Sequence, residues 1–424
     1  MTGMKIPFSF VFTSLTKDSI VNISGSFLNS LLGLIFFILV SRGFGPPLFG
    51  VFGVLLAFQV IFSDVFDFGI NTGILRFIPQ EIAEGEFDVA NKFLKLSLEL
   101  KILIGFTFIL IGLFISKPLS VLIFKNASYS LPFLFAFAIL PTLLLGFSVS
   151  YLQSKKEFIK ANILNFSSNL TRLLILFAIL VFGKISVLQV FALFALSPLV
   201  GFFVSLFLLK MDFLFASDEW SVFKNFFSFN KWIFLGFSLS SIYSRLDNFF
   251  LVRLSNSFQT GLYASSSRLL SFHPQVAGAL SITLAPRFST FQKKIEAFKF
   301  FKKSFWTITF FSVLNLFLIP LAPFLIPLLL GIDYKEAVPA FQILSLAMIF
   351  ILLSVPAQGA LIYFLSKPKM FFILSFIQFL VIVIFDLIFI PRYGALGASL
   401  AFLISSFIAF VIPTMFVLAK LKNG

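Results

Sequence analysis

Twelve apolar stretches follow one another along this chain, and this repetition constrains the fold more than any other feature. Each stretch is close to the ~20 residues that an α-helix needs to cross the hydrocarbon core of a membrane. Because a bilayer offers no water to unpaired backbone groups, such a chain is predicted to fold as a bundle of membrane-spanning helices. The predicted spans are residues 19–41, 48–70, 97–116, 128–152, 163–183, 185–209, 232–254, 261–285, 305–330, 339–365, 370–390 and 394–418.

Basic residues set the orientation of the bundle. Most of the 32 Lys and Arg lie in the even-numbered connections and in the two tails. Positive charges near span ends are retained on the cytoplasmic side, so both termini are predicted to be cytoplasmic. The net charge of +15 is therefore an orientation signal, and no nucleic acid is expected as a partner.

Several function classes are excluded by what the sequence lacks. The chain has no cysteine, which excludes disulfides and Cys-ligated metals, and we expect neither a metal nor a cofactor. No Gly-x4-Gly-Lys-Ser/Thr loop for ATP occurs, so the driving force is expected to be an ion gradient, the membrane potential or the substrate gradient. The external connections are too short for a catalytic domain, and the protein is not expected to be an enzyme.

The two halves of the chain look related at an offset of 211 residues. In each half an Arg at the external end of a span precedes a Gly-x-aromatic motif, which pairs Arg42 with Arg253 and Gly50 with Gly261. Six spans per half give a parallel repeat, and such repeats enclose a substrate pathway where their halves meet. The predicted organisation is an interfacial segment at 1–18, an N-lobe at 19–210, a cytoplasmic linker at 211–231 and a C-lobe at 232–424.

Three arginines lie inside predicted spans: Arg172, Arg245 and Arg268. A charge at bilayer depth costs about 2.5–3.5 kcal/mol on insertion scales unless it is paired or faces water. In the functional interpretation the three line a central cavity and bind an anionic group, because guanidinium binds phosphate oxygens in a bidentate manner. In the structural interpretation an Arg forms a buried interhelical pair without a ligand.

Acidic residues in the spans carry two interpretations each. Asp64 and Asp67, expected toward the external end of the second span, lie three apart on one helical face. They form either a cation or proton site for coupling or, as we favour, a capping or pairing arrangement. Asp247 lies two residues from Arg245, so each points in a different direction and needs a partner on another helix.

His273 is the only histidine and precedes Pro274. It is either a proton relay or a hydrogen-bonded residue at a helix kink. Asp386 and Arg392 lie near the membrane surface in the predicted topology and are expected to be anchors.

The order and spacing of eight short motifs resemble those of Wzx-type oligosaccharide flippases, members of the multidrug/oligosaccharidyl-lipid/polysaccharide exporter superfamily. The motifs are SRGFGP at 41–46, FGVF at 49–52, DFGIN at 67–71, LRF at 75–77, LDNFFL at 246–251, GLYA at 261–264, APRF at 285–288 and IPRYGALGA at 390–398. The resemblance implies a V-shaped bundle of two six-helix lobes with a cationic central cavity. One departure is Asn248, which stands where the family often has a basic residue.

The resemblance also implies a function: moving a polyprenyl-diphosphate-linked oligosaccharide across the cytoplasmic (inner) membrane for surface polysaccharide synthesis, such as O-antigen of lipopolysaccharide. Expected partners are this lipid-linked oligosaccharide, membrane lipids, H⁺ or Na⁺ as coupling ion, and a polysaccharide polymerase. Alternatives are a multidrug or cation antiporter of the same superfamily, a polytopic polymerase or ligase, and a passive lipid scramblase.

Overall fold

The computed structural model describes residues 14–217, 220–291, 293–365 and 367–422, and in these residues it is helical without any β-strand. Of the predicted interfacial segment 1–18, only residues 14–18 are described, and they open the first helix. The helices are α1 (Ser14–Val65), α2 (Ile70–Glu84), α3 (Phe87–Phe124), α4 (Ser130–Ala136), α5 (Leu140–Ser154), α6 (Phe158–Phe182), α7 (Val187–Leu196), α8 (Pro198–Leu208), α9 (Trp220–Leu254), α10 (Ser257–Leu269), α11 (Phe272–Thr290), α12 (Lys294–Val313), α13 (Leu318–Leu330), α14 (Val338–Gly359), α15 (Pro368–Tyr393) and α16 (Ala395–Lys422).

The prediction of an all-α, multi-pass membrane protein is confirmed. Nine stretches of the described residues are long and apolar enough to cross a membrane. One of them, Ser24–Glu84, has 61 residues and would be about 90 Å long as a single straight helix, so it must turn back. It turns at Gly45, where φ is +66° and two prolines follow. The number of twelve crossings and the side of the termini stay predictions.

The two predicted spans formed by α9 and by α10–α11 do not belong to these nine stretches. Both carry many serines and charged residues, which lowers their hydropathy. They are also the helices that line the cavities described below. Their polar composition therefore follows from the water-accessible surface that they cover.

Helix packing separates the chain into two groups. Within the first, α6 packs against α1 and α8, and α5 packs against α2, α3 and α8. Within the second, α15 packs against α9 and α16, and α14 packs against α11 and α16. Because α9 already begins at Trp220, the helical part of the second group starts inside the predicted linker at 211–231. The division into lobes at 19–210 and 232–424 otherwise stays a prediction.

The groups meet mainly where α1 packs against α9 and α10. A Cβ added to Gly50 would lie 2.0 Å from the carbonyl oxygen of Ser257, and one added to Gly261 would lie 1.8 Å from that of Pro46. Pro46 and Ser257 are separated by the same 211 residues as the two glycines. These four residues, called the glycine crossing below, thus make a reciprocal contact of the kind that a two-fold axis generates.

Two further contacts close the bundle beside the glycine crossing. The Arg42 guanidinium donates to the carbonyl oxygens of Leu328 and Leu329 at the end of α13, with 2.8 Å between its Nε and the Leu329 oxygen. The Tyr334 hydroxyl donates to the Ser41 carbonyl oxygen at 3.0 Å. Farther from the crossing, α2 packs against α3 and α5, whereas α11 packs against α14. The two groups are therefore tied together at the end that carries the crossing.

Candidate functional site

The larger of two polar cavities, with a volume of about 710 Å³, begins at the level of Gly53 and Ala264. These two residues again differ by 211 positions, and a Cβ on Gly53 would lie 2.9 Å from that of Ala264. Residues of α9, α10, α11, α14, α15 and α16 form most of the wall, and Ala57 of α1 completes it. Cavities of about 300–1,000 Å³ are the usual size for small-molecule sites.

The smaller cavity, of about 490 Å³, lies between the two helix groups, with α1, α2 and α5 on one side and α9 on the other. The cavities share Phe237, Ser240, Ser244 and Arg245, so this face of α9 separates them. The polar side chains around the smaller cavity are Ser63, Asp64, Asp67, Asn71, Thr72, Thr142, Ser238, Ser240, Ser241, Ser244 and Arg245.

Arg245 lies on the wall of both cavities. Its Nη1 donates to the Ser244 hydroxyl at 2.9 Å and to the Ser241 carbonyl oxygen at 3.1 Å. Its Nη2 is 3.8 Å from Asp64 Oδ2, across the boundary between the two helix groups. Asp64 also accepts a hydrogen bond of 2.6 Å from the Ser241 hydroxyl. Side-chain exposures of 31% for Arg245 and 47% for Asp64 leave both groups open to a ligand or to water.

Arg268 lies in the last turn of α10 and lines the larger cavity. Its guanidinium carbon is 4.7 Å from the centre of the Phe37 ring on α1, which is cation–π geometry between the two helix groups. Among the described residues, no carboxylate is recorded within ion-pairing distance of Arg268. Arg268 thus presents a cation to the cavity whose charge no acidic neighbour neutralises.

Arg172 has different surroundings. Its side chain is buried, its Nε donates to the Ser197 hydroxyl at 2.8 Å, and its guanidinium carbon is 4.2 Å from the Phe194 ring centre and 5.5 Å from that of Phe36. It lines neither of the two cavities. Arg245 and Arg268 therefore line the same cavity, whereas Arg172 is buried among aromatic side chains.

Asp67 has the contacts of the capping and pairing interpretation. Its Oδ2 accepts the Asn71 backbone N–H at 3.1 Å, and its Oδ1 accepts a hydrogen bond from the ammonium group of Lys101, which is completely buried. Between these contacts the helix breaks, with positive φ at Phe68 and Gly69. Helix α2 continues the path beyond Asp67 for 15 residues to Glu84, so Asp67 lies within the apolar stretch Ser24–Glu84 and not at its end.

Sequence reasoning missed Lys101 as the partner of Asp67, because Lys101 lies close to the start of the third predicted span. In the structure it lies far inside α3, which begins at Phe87. The signal that was available is a lone Lys within an apolar helix, together with an aspartate in the preceding span. A buried ammonium group needs such a partner.

Asp247 is completely buried and accepts a hydrogen bond from the Tyr263 hydroxyl of α10. The carboxyl of Asp386 on α15 lies within hydrogen-bonding reach of it. Asp247 Oδ1 and both carboxyl oxygens of Asp386 have no donor among the described residues. Two carboxylates this close would repel each other, so the pair suits a shared proton or a bound cation.

The expectation that Asp386 anchors the chain at the membrane surface is wrong, since its exposure is 0%. Helix α15 packs along α9, which places Asp386 in the contact between them. Arg392, in contrast, lies exposed in the last turn of α15.

His273 lies at the break between α10 and α11 and is buried. Its Nδ1 is 3.0 Å from the Leu270 carbonyl oxygen, and its Nε2 contacts the side-chain oxygen of Asn315. Both ring nitrogens are thus engaged in the manner expected of a residue at a kink. A relay function stays a prediction.

Arg253, the counterpart of Arg42 in the repeat, is exposed in the last turn of α9. Gly50 and Gly261 keep equivalent positions in the glycine crossing, but the two arginines do not have equivalent surroundings. The two halves of the repeat are therefore equivalent in the backbone contact at the two glycines, but not in the surroundings of the two arginines.

Comparison with known proteins identifies a family and several relatives that this chain resembles. The model of a family described as polysaccharide biosynthesis protein matches residues 15–292. An uncharacterized membrane protein of Methanocaldococcus jannaschii is 26% identical, over 97% of this chain and 99% of its own length. The capsular polysaccharide biosynthesis protein CapF of Staphylococcus aureus is 28% identical over 178 residues, which are 41% of this chain and 45% of CapF.

Two solved structures share the fold with a TM-score of 0.75 each. One is a multidrug resistance MATE family transporter of the MOP superfamily in an inward-facing conformation, 16% identical, with 96% of this chain and 98% of that chain covered. The other is the lipid II flippase MurJ in an inward closed conformation, 19% identical, with 95% and 87% covered. The family match agrees with the predicted link to polysaccharide biosynthesis, and the predicted likeness to a MATE transporter and a lipid-linked substrate flippase is confirmed at the level of the fold.

Proposed function

Since the chain belongs to the polysaccharide biosynthesis protein family, we propose that it is a flippase for a polyprenyl-diphosphate-linked oligosaccharide in the cytoplasmic membrane. The single observation that carries the proposal is the placement of Arg245 and Arg268 on the wall of one cavity, which the second helix group forms and Gly53 and Ala57 of α1 complete. The sugar-diphosphate head enters this cavity, and the lipid tail stays in the bilayer and passes between helices.

The chemistry of the cavity suits a diphosphate. Arg268 has no recorded carboxylate partner among the described residues, and Arg245 shares its charge with a half-exposed Asp64 at 3.8 Å. Guanidinium groups stay charged at any physiological pH and offer paired N–H donors to phosphate oxygens. A hydrogen bond to a charged group contributes about 1.5–3 kcal/mol, so two such residues hold a diphosphate without covalent chemistry.

Alternating access accounts for the asymmetry between the two ends of the bundle. By the charge rule the glycine crossing lies at the external end, and there the carbonyl of each helix touches a glycine of the other. Helices that meet through glycine pack closely without interlocking side chains, so this contact can open as a unit. Transport then consists of opening the crossing while α2 and α11 approach each other at the cytoplasmic end.

The Asp247–Asp386 pair is the candidate coupling site. Asp247 is two residues from Arg245 on α9, and the pair has oxygens without donors among the described residues, which a proton or Na⁺ would satisfy. Loading and release of this cation can then alter the packing of α9 against α15, on the far side of α9 from the smaller cavity.

A multidrug or cation antiporter is the second candidate, and the likeness to the MATE transporter supports it at the level of fold. A cationic drug requires a cavity wall in which carboxylates outnumber cations. The larger cavity has Arg245 and Arg268 on its wall and no acidic residue among its lining. This charge favours an anionic cargo.

The experiment is a reconstituted flipping assay. Proteoliposomes receive a fluorescent short-chain polyprenyl-diphosphate N-acetylglucosamine, and the fraction that changes leaflet is measured by quenching from outside. We expect flipping by the wild type and at least about a tenfold loss in Arg268→Ala, in line with the loss of one charge-assisted hydrogen bond. Uptake of a cationic dye with no flipping of the diphosphate lipid would contradict the proposal and support the antiporter.

A further inference from the structure

We infer that the smaller cavity is the subsite for the first sugar of the cargo and that it selects an uncharged sugar over a uronic acid. This inference rests on the proposed function and adds a binding site and a specificity to it.

The lining of the smaller cavity is chemically unlike that of a lipid or drug pocket. Seven of its sixteen lining residues bear a hydroxyl group and one a carboxamide, while apolar side chains are the minority. Such a wall offers both donors and acceptors at short spacing, as a sugar ring with several hydroxyls requires. A drug-sized apolar ligand would instead leave these groups without partners.

Two polar groups of this wall lack a partner within the described part of the chain. They are the carboxamide oxygen of Asn71 and the hydroxyl oxygen of Ser238, which belong to opposite helix groups. Ser238 is only 9% exposed, so water reaches it poorly. A buried polar atom without a partner costs about 1–3 kcal/mol, and rotation of either side chain toward a sugar hydroxyl in the cavity would remove this cost.

The position of the smaller cavity matches the order of groups in the cargo. Arg245 borders both cavities, so a diphosphate that it binds in the larger cavity has its sugar end beside the smaller one. Phe237 also borders both cavities, and this residue is 58% exposed. An exposed aromatic ring at this junction offers a flat apolar surface for the C–H face of a sugar.

Charge decides the selectivity. Asp67 is neutralised by Lys101, whereas Asp64 is half-exposed and, within the described part of the chain, has Arg245 as its one cationic neighbour. When Arg245 binds the diphosphate, the Asp64 carboxylate faces the sugar without a full counter-charge. A uronate beside it would be repelled, while a neutral sugar would donate hydroxyl hydrogen bonds to it.

The test measures Kd for the full chain in detergent with three probes: farnesyl diphosphate, its N-acetylglucosamine ester and its glucuronic acid ester. For the wild type we expect the N-acetylglucosamine probe to bind about tenfold more tightly than farnesyl diphosphate, since two neutral hydrogen bonds contribute about 0.5–1.5 kcal/mol each. The double variant Asn71→Leu/Ser238→Ala should bind these two probes equally, with unchanged affinity for farnesyl diphosphate. That unchanged affinity shows that the variant is folded.

Ser345→Ala is the matched control, because this serine is buried like Ser238 but lines neither cavity, and it donates to the Phe341 carbonyl oxygen at 2.7 Å. It should keep the tighter binding of the N-acetylglucosamine probe. In Asp64→Asn the ratio of the Kd for the glucuronic acid probe to the Kd for the N-acetylglucosamine probe should be smaller than in the wild type.

The outcomes separate the two proposals. If farnesyl diphosphate itself does not bind the wild type, the proposed function fails, and the inference fails with it. If farnesyl diphosphate binds but the sugar adds no affinity, or if the added affinity survives in the double variant, the inference alone is overturned. Equal Kd values of the wild type for the neutral and acidic sugar probes would overturn the inferred preference for an uncharged sugar.

Discussion

The interior of the first helix group and the wall of the larger cavity both hold charged groups that lie inside predicted spans, but in opposite settings. Arg172 and Lys101 are buried among the helices of the first group, where an aromatic cage and an aspartate surround them respectively. Arg268 lies on a cavity wall of about 710 Å³ and has no recorded acidic partner among the described residues. The same hydropathy argument applies to Arg172 and Arg268, yet only Arg268 is placed to meet a ligand.

The difference shows what a charge inside a span does and does not indicate. Its insertion cost requires some compensation, and a partner, an aromatic cage and a wet cavity all provide it. Only the last of these is a binding site. Which one applies depends on the helices that surround the charge. Three predictions follow in order of decreasing expected effect: the first two test this distinction, and the third tests the contact between the two helix groups.

Removal of the buried ammonium group of Lys101 should have the largest effect. Lys101→Ala leaves the Asp67 carboxylate without its counter-ion, and loss of one partner of a buried pair destabilises a protein by about 3–5 kcal/mol. We expect a strong fall in the yield of monodisperse protein and in its unfolding temperature, measured by fluorescence-detected size exclusion and by thermal unfolding.

The control is the double variant Lys101→Met/Asp67→Asn, which removes both charges at similar volume. It should recover most of the stability, because replacing a whole buried pair is often neutral. Equal destabilisation in the single and double variants would show that Lys101 acts through packing and not through its charge.

The second prediction compares Arg268→Met with Arg172→Met in the reconstituted flipping assay. Arg268→Met should lower flipping about tenfold or more at unchanged stability, because it removes a charged hydrogen-bond donor from the cavity. Arg172→Met should lower stability by about 1 kcal/mol, within the range of an aromatic–cation contact and one hydrogen bond, and flipping per folded molecule should stay near the wild type. If Arg172→Met lowered flipping while Arg268→Met lowered only stability, the roles assigned to the two arginines would be reversed.

The third prediction concerns the glycine crossing. Gly261→Ala places a methyl group 1.8 Å from the Pro46 carbonyl oxygen, so the helices must separate, at a cost of about 1–3 kcal/mol for overpacking. We expect slower flipping and increased labelling of a cysteine placed at Ser257 from the external side. Gly33→Ala is the control, since its added Cβ meets no atom within 4 Å. Identical behaviour of the two variants would show that the crossing is not a closed contact of the transport cycle.

The fold class could be predicted from the sequence because the bilayer imposes it. Span length and the distribution of Lys and Arg depend on the chain alone. The repeat at Gly50 and Gly261 was also visible, since close backbone approach restricts both positions to glycine. That the two glycines oppose each other reciprocally required the tertiary structure.

The site could be predicted only in part. Arg245 and Arg268 could be identified as candidates because guanidinium groups are costly in apolar spans. The sequence alone does not distinguish an Arg that lines a water-accessible cavity from one that is buried. Lys101 was missed because the third predicted span began only four residues before it, while α3 begins ten residues earlier at Phe87. Asp386 was assigned to the membrane surface because the predicted span ended four residues after it. Pairs such as Asp67–Lys101 and Asp247–Asp386 join helices that are distant along the chain, and no local pattern encodes them.

The most direct test of a wet, diphosphate-binding cavity uses the absence of cysteine from the chain, so that a single introduced thiol can be followed. Ser271→Cys lies on the wall of the larger cavity near Arg268, and Ser197→Cys lies beside Arg172. We predict that a water-soluble thiol reagent labels the cysteine at 271, that farnesyl diphosphate slows this labelling, and that the cysteine at 197 stays unlabelled. Equal labelling at both positions, or labelling at 271 that farnesyl diphosphate does not change, would contradict the account.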